Sequence, residues 1–145
     1  MSATATWVLL VDDEEDFVTV LAERLEARNL QVDTAGNGEI ALQKAAEKEY
    51  DAIVLDMAMP GMDGTETLQR LHELNPDLQV ILLTGQSTLS QAVEAMKRGA
   101  LDFLEKPADI DTLVDRIEIA ATQKSKLEDR RIEKRLDEIV RKKGW

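Results

Sequence analysis

The sequence has no cysteine, which removes disulfides, thiolate catalysis and Cys-ligated zinc. It has one histidine, His72, too few for a multi-histidine metal centre. Glycine and proline are scarce, at seven and three of 145 residues, so neither a fibrous repeat nor a long flexible linker fits. No apolar run approaches the roughly 18–20 residues that a membrane span requires. The opening stretch MSATATWVLLVDDEED lacks the basic start of a signal peptide. These absences point to a soluble, cytoplasmic protein with no membrane partner. What is present supports a buried core: 43% hydrophobic and 32% charged residues, in a length suited to one domain with an appendage.

The formal net charge of −11 is unevenly spread. Residues 124–145 carry nine Lys/Arg and five Asp/Glu, a local +4, which leaves −15 on residues 1–123. A body that acidic repels a phosphate backbone, so direct nucleic-acid binding is not expected of it.

Along the first 108 residues two periods alternate. Trp7–Val11 (WVLLV) is an apolar run without polar alternation, the pattern of a strand buried on both faces. Residues 30–35, 52–55 and 80–83 read likewise, and 101–104 is a weaker fifth. Helical spacing separates them. Phe17, Leu21 and Leu25 mark one face of a helix over 14–28. Ile40 and Ala45 mark a second helix, Leu68 and Leu71 a third, Val93 and Met96 a fourth. Asp63 and Thr88 each precede an acid or amide by three residues, and Asp109 follows Pro107, so all three are candidate helix caps. Strands alternating with helices force parallel pairing with helices on both faces. The expectation is a doubly wound α/β domain of five βα units.

After Asp109 the pattern changes. Residues 110–143 contain neither Gly nor Pro, and Ile110, Leu113, Ile117, Ala120, Leu127, Ile132, Leu136 and Ile139 recur mostly at three- and four-residue steps. One helix of that length runs to about 51 Å, against a body about 35 Å across. It should overhang by several turns, with Gly144 as its stop. The division expected is a domain over 1–123 and a helical extension over 124–145. Leu127, Ile132, Leu136, Ile139 and Val140 form an apolar face beyond the reach of the body. The same helix of a second chain is the expected cover, giving a homodimer.

Ligands of open parallel sheets bind at the carboxyl ends of the strands. Here the first strand ends in Asp12-Asp13, the third in Asp56 and the fourth in Thr84, and Lys106-Pro107 follows the fifth. Singly, each has a structural use: acids for a helix dipole, a loop hydroxyl, a solvated lysine. Together they form a carboxylate cluster with one ammonium. Carboxylates about 4 Å apart repel by roughly 4 kcal/mol at an effective dielectric of 20, so the cluster calls for a cation. An all-oxygen set suits Mg²⁺. With it, Asp56 is placed to attack a phosphoryl group whose oxygens are neutralised by the metal and Lys106, while the Thr84 hydroxyl holds one oxygen of the product.

The segments VLLVDDEED (8–16), VLDMAMPGMDG (54–64), LLTGQ (82–86) and DFLEKP (102–107) resemble, in this order, the receiver domain of two-component response regulators. The likeness covers about residues 6–122. It implies the flavodoxin-like fold with strand order 2-1-3-4-5. It further implies that Asp56 accepts phosphate from a sensor histidine kinase or phosphotransfer protein, as a signalling phosphoacceptor rather than an enzyme acting on other substrates. Asp12, Asp13, Asp56 and the carbonyl of Ala58 would hold Mg²⁺. Thr84 and Lys106 would contact the phosphoryl group, Phe103 would be the rotating aromatic of the switch, and the Lys106–Pro107 peptide would be cis. Gly85 stands where many members have alanine, and Ala58 and Gln86 occupy positions that tune phosphate loss.

Two rivals fall short. A haloacid-dehalogenase-type phosphatase needs a second Asp two residues after the first, where this chain has Ala58. A flavin-phosphate binder needs a Ser/Thr/Gly-rich loop after the first strand, where Asp12-Asp13-Glu14-Glu15 would repel the phosphate. His72 reads as a solvated surface residue, and Met57, Met59 and Met62 as loop packing. The output is open between a stand-alone receiver and the N-terminal receiver of a longer transcriptional regulator.

Overall fold

The structure is a computed structural model that describes residues 5–85 and 89–143. In chain order the elements are β1 (Trp7–Val11), α1 (Glu15–Glu26), β2 (Gln31–Ala35), α2 (Gly38–Glu47), β3 (Ala52–Asp56), α3 (Gly64–Leu74), β4 (Val80–Thr84), α4 (Leu89–Lys97), β5 (Asp102–Glu105) and α5 (Ile110–Lys142). The five strands pair in parallel in the order β2-β1-β3-β4-β5. This is the flavodoxin-like doubly wound fold.

Side-chain alternation along the strands divides the core in two. Val8, Leu10, Val54, Ile81 and Leu83 pack toward α1 and α5, against Leu21, Leu25, Leu113 and Ile117. Leu9, Val11, Ile53, Leu55 and Leu82 face the other way, against Ala41, Leu68, Leu71 and Ala95 of α2, α3 and α4. β3 and β4 are buried throughout because neighbours lie on both edges and both faces.

Several expectations change. β2 lies at the sheet edge, and only Ala35 of its five residues is buried, so it is not a doubly buried strand. The fourth helix buries Ala95, whereas Val93 and Met96 are 44% and 45% exposed. In α2 the buried residues are Gly38 and Ala41, Leu42 and Ala45 pack partly against the core, and Ile40 faces solvent. Among the described residues, Ala41 and Ala95 are the side chains buried against the core in these two helices, and Ile40, Val93 and Met96 turn outward. Asp63 and Asp109 cap α3 and α5, accepting from the amides of Glu66 and Thr112. Asn37 caps α2, a signal the spacing of apolar residues did not carry. Thr88, Gln86 and Gly144 lie outside the described residues.

The long helix is present over 33 residues. Leu113, Val114, Ile117, Ala120 and Lys124 are its buried positions. There is no break at 123/124. Instead, Lys124 enters a pocket of carboxylates, with Nζ 3.2 Å from Glu128, 3.7 Å from Asp51 and 3.7 Å from Glu49. Arg131 pairs with Asp77 at 2.8 Å. Leu127 lies between these two anchors and is half-buried, so it belongs to the docked part of the helix. The free overhang begins after Arg131 and runs about three turns.

At the opposite side of the sheet, the buried Tyr50 hydroxyl donates to Asp33 Oδ2 at 2.7 Å, and Lys48 Nζ donates to the same oxygen at 3.1 Å. The Tyr50 hydrogen bond, reinforced by Lys48, holds the Asp33 carboxyl below its ordinary value against the opposing effect of burial. A depressed pKa contributes stability that is present above the unfolded value and lost as pH falls through the folded one. Tyr50→Phe should therefore lower the urea midpoint at pH 6–7, and the gap from wild type should narrow as pH drops below about 4. A pH-independent gap would assign the loss to packing alone.

Candidate functional site

The carboxyl ends of β1, β3 and β4 and the loop after β5 converge at one rim of the sheet. Asp12 follows β1 directly, and its amide donates to the Ala35 carbonyl at 3.1 Å, which holds it beside β2. Asp56 is the last residue of β3 and Thr84 the last of β4. The Lys106 amide donates to the Thr84 carbonyl at 2.7 Å, carrying the chain from β5 over the end of β4. The Lys106–Pro107 peptide is cis. Asp12, Asp56 and Thr84 are 6%, 4% and 2% exposed, whereas Asp13 faces solvent.

Lys106 ties the rim together. Its Nζ lies 2.6 Å from Asp12 Oδ2, 3.1 Å from Glu14 Oε1 and 3.6 Å from Asp56 Oδ2. It also stands over the Phe17 ring at 4.4 Å. Burial alone would pull the ammonium's pKa down, but the carboxylates of Asp12, Glu14 and Asp56 reverse that and hold it above the usual lysine value. The Asp56 carboxyl moves up, first through burial and then through the charge of Asp12; the Ala58 amide, Lys106 and Asp13 exert smaller effects of mixed sign. A raised pKa marks a more basic carboxylate, and so a better nucleophile once ionised. The Ala58 amide donates to Asp56 Oδ1 at 3.2 Å, so both oxygens are oriented: one by the amide, the other toward Lys106.

Carboxylate oxygens of Asp12, Asp13 and Asp56 lie within 4.8 Å of one another. Asp12 Oδ2 is buried and, among the described residues, has no well-directed hydrogen bond; its approach to Lys106 is an ionic contact. Three clustered anions against a single ammonium, with Asp12 Oδ2 buried and met by that ionic contact alone, fit a hard divalent cation such as Mg²⁺.

Thus Asp12, Asp13, Asp56, Thr84 and Lys106, separated by up to 94 positions in sequence, meet at one rim. Ala58 joins them through its amide. Phe103 is half-buried in β5, aligned with Leu82 and packed on the core beneath α4. Glu14, Phe17 and Gly64 are contributors that the strand-end reading passed over. The first two meet Lys106 across about 90 residues, and nothing local announces that contact. Gly64 opens α3 against the backbone of the Asp56–Met57 step: a Cβ there would lie 2.5 Å from Met57 Cα and 2.7 Å from the Asp56 carbonyl oxygen. His72 is not a solvated surface residue. It is half-buried against Gly99, and Nε2 is 2.9 Å from the Leu78 carbonyl oxygen. Met59 is buried in the core and Met62 packs near Gly38, consistent with loop packing.

Comparison with known proteins gives one answer. The family described as response regulator receiver domain matches residues 8–118. The transcriptional regulatory protein ZraR of Klebsiella oxytoca is 42% identical over 113 residues, covering 78% of this chain and 26% of that protein. A response regulator receiver domain from Clostridium thermocellum superposes with a TM-score of 0.80 at 31% identity, over 84% of this chain and 98% of that one. A response regulator from Burkholderia pseudomallei, solved with a phosphorylated aspartic acid, a calcium ion and citrate, gives 0.74 at 26% identity, over 96% and 86%. The chain spans about a quarter of the length of the curated relatives it matches. No described helix is long and apolar enough to cross a membrane.

Proposed function

The chain belongs to the response regulator receiver family of two-component signalling, and from that premise we propose that Asp56 is its phosphoacceptor, served by Lys106, Thr84 and a Mg²⁺ site at Asp12, Asp13, Asp56 and the Ala58 carbonyl. The observation that carries this reading is the contact of one ammonium with Asp12 and Asp56 at a buried strand end. The donor is a phosphohistidine of a sensor kinase or phosphotransfer protein. An Asp56 carboxylate oxygen attacks phosphorus, the P–N bond breaks, and the imidazole leaves with the electron pair and takes up a proton. Mg²⁺, when bound, supplies positive charge to the phosphoryl oxygens. Lys106 stays protonated and offsets charge at the same oxygens, and the Ala58 amide fixes the carboxylate's rotation. The chain acts as a phosphoacceptor in signalling, catalysing only the gain and loss of its own phosphate.

The readout surface is that of α4, β5 and α5, where Val93 and Met96 stand exposed. Thr84, 2% exposed at the end of β4, moves toward the phosphoryl group, and Phe103 responds, a shift between populations of two states. Thr84→Ala should still accept phosphate from a small acyl phosphate with Mg²⁺ but lose the phosphorylation-dependent change in partner binding or assembly. An unchanged response would remove Thr84 from the switch. Tryptic mapping of the labelled wild type should place a single hydroxylamine-sensitive phosphoryl group on Asp56, and a label elsewhere overturns the assignment.

The receiver unit includes α5 as far as its anchor at Arg131, and the turns beyond it to Lys142 extend that helix, through which two copies form a homodimer. That the matched relatives are transcriptional regulators several times longer favours a transcriptional output. The acidic body is unsuited to the nucleic-acid contact itself.

A further inference from the structure

Glu14 meets Lys106 without belonging to the residues assigned above to acceptor, metal or phosphoryl group. Three carboxylates surround the ammonium, Asp12 at 2.6 Å, Glu14 at 3.1 Å and Asp56 at 3.6 Å. Of the three, only Glu14 receives a directed hydrogen bond: the Asp12 contact is ionic, and the Asp56 one is too long. The Phe17 ring, 4.4 Å from Nζ, closes another side. Two backbone bonds fix the base of the Glu14 side chain. Its amide donates to Asp12 Oδ1 at 2.9 Å, and its carbonyl accepts from the Val18 amide at 3.0 Å. Glu14 is the N-cap residue of α1, yet its side chain makes no capping bond. The carboxylate is left to Lys106.

An ammonium has three N–H donors, and a phosphoryl group on Asp56 brings oxygens that need one of them. One present contact must then be given up. Asp12 and Asp56 hold carboxylate oxygens within 4.8 Å of each other, so the ammonium can shift toward Asp56 without leaving Asp12. Asp12 is also 6% exposed, and stranding its buried charge is costly. Glu14 stands outside that cluster with its side chain 65% exposed, and water can replace the ammonium there. The bond to Glu14 is the one exchanged.

We propose that Glu14 is a positioning residue that holds Lys106 at rest and competes with the phosphoryl group for its ammonium. The proposal rests on Asp56 being the acceptor and adds what restrains the lysine before transfer. Truncating Glu14 keeps both of its backbone bonds and removes no cap, so the fold tolerates the test.

Fluoroberyllate, an analogue of the phosphoryl group, reads the competition without any bond being broken. In Mg²⁺, Glu14→Ala should bind it about two- to fivefold more tightly than wild type in a fluorine NMR titration, the scale of one exposed ion pair. Glu15→Ala is the charge control, because Glu15 is the next residue and is not one of the three carboxylates around Lys106. Screening by salt should leave its affinity near that of wild type. The ring current of Phe17 marks where the ammonium end of Lys106 stands. The Lys106 ε-methylene signal of wild type should move when fluoroberyllate binds. In ligand-free Glu14→Ala it should already lie part-way along that path, and in Glu15→Ala it should not. Equal affinities in the two variants would assign any effect to overall charge. Weaker binding by Glu14→Ala would make Glu14 a support for the lysine instead of a competitor. Either result, or an ε-methylene signal that Glu14→Ala leaves in place, overturns the proposal. Fluoroberyllate binding that survives Asp56→Asn overturns the acceptor assignment itself.

Discussion

Asp56→Asn should lose essentially all phosphoryl labelling by acetyl phosphate or phosphoramidate in Mg²⁺, while wild type reaches a single hydroxylamine-sensitive phosphoryl group per chain. The effect is expected to be this large because an amide cannot form the acyl phosphate, and Asp12, the other buried acid among the described residues, is engaged more closely by Lys106 than Asp56 is, at 2.6 Å against 3.6 Å. Asp12 is as buried, but its Oδ2 lies 2.6 Å from Lys106 and its Oδ1 accepts from the Glu14 amide at 2.9 Å. The fold should survive the change. Removing one of three mutually repelling carboxylates relieves electrostatic strain, and burial with the charge of Asp12 already pushes the Asp56 carboxyl up. Asp56→Asn should thus be as stable as wild type or more so, by up to about 1–2 kcal/mol in urea unfolding without divalent cations. Labelling of the variant at the wild-type rate would exclude Asp56 as the acceptor.

Gly64→Ala should be the most damaging single methyl near the site. Its Cβ would meet Met57 Cα at 2.5 Å and the Asp56 carbonyl oxygen at 2.7 Å, both backbone atoms. Neither can move as a flexible side-chain end could. The Gly64 amide also donates to the Met57 carbonyl at 3.0 Å, so helix and loop are joined where the methyl would force them apart. Overpacking of this kind costs about 1–3 kcal/mol. Displacing the nucleophile by even 1 Å can slow transfer by about 100-fold. Gly85→Ala is the control: it adjoins Thr84, but its Cβ would meet nothing within 4 Å, and it should keep wild-type stability. Equal losses in the two variants would show that general glycine replacement, rather than the close approach at Gly64, is responsible.

Legibility differed between elements for physical reasons. β1, β3 and β4 were readable as apolar runs because a strand covered on both faces has no polar period to confuse with anything else. β2 was over-read: Leu30 and Ala35 are buried and Val32 packs partly on the core, but Gln31 and Thr34 are exposed, because an edge strand needs only one covered side. In α4 the largest apolar residues, Val93 and Met96, suggested the core face, yet the sheet accepts Ala95 there. The sheet receives leucines from α1 and α3 but, among the described residues, only an alanine from α4, and periodicity cannot tell a packed stripe from an exposed one.

The sequence by itself determined the alternation of strands and helices, and with it a parallel sheet whose carboxyl ends carry Asp12, Asp13, Asp56, Thr84 and Lys106. That much follows because strand period, helix period and turn residues are local, and crossover geometry then dictates which ends meet. It also determined the single long helix, through 34 residues without Gly or Pro. Only the tertiary structure decided that Lys106 reaches Asp12 and Glu14 over the Phe17 ring, that Gly64 must lack a side chain, and that Lys124 and Arg131 fasten the long helix as far as Asp77. Those contacts join segments 54–94 residues apart, or depend on tenths of an ångström between backbones. Neither local propensity nor hydrophobic period encodes such distances; they emerge when the two faces of the sheet are packed at once.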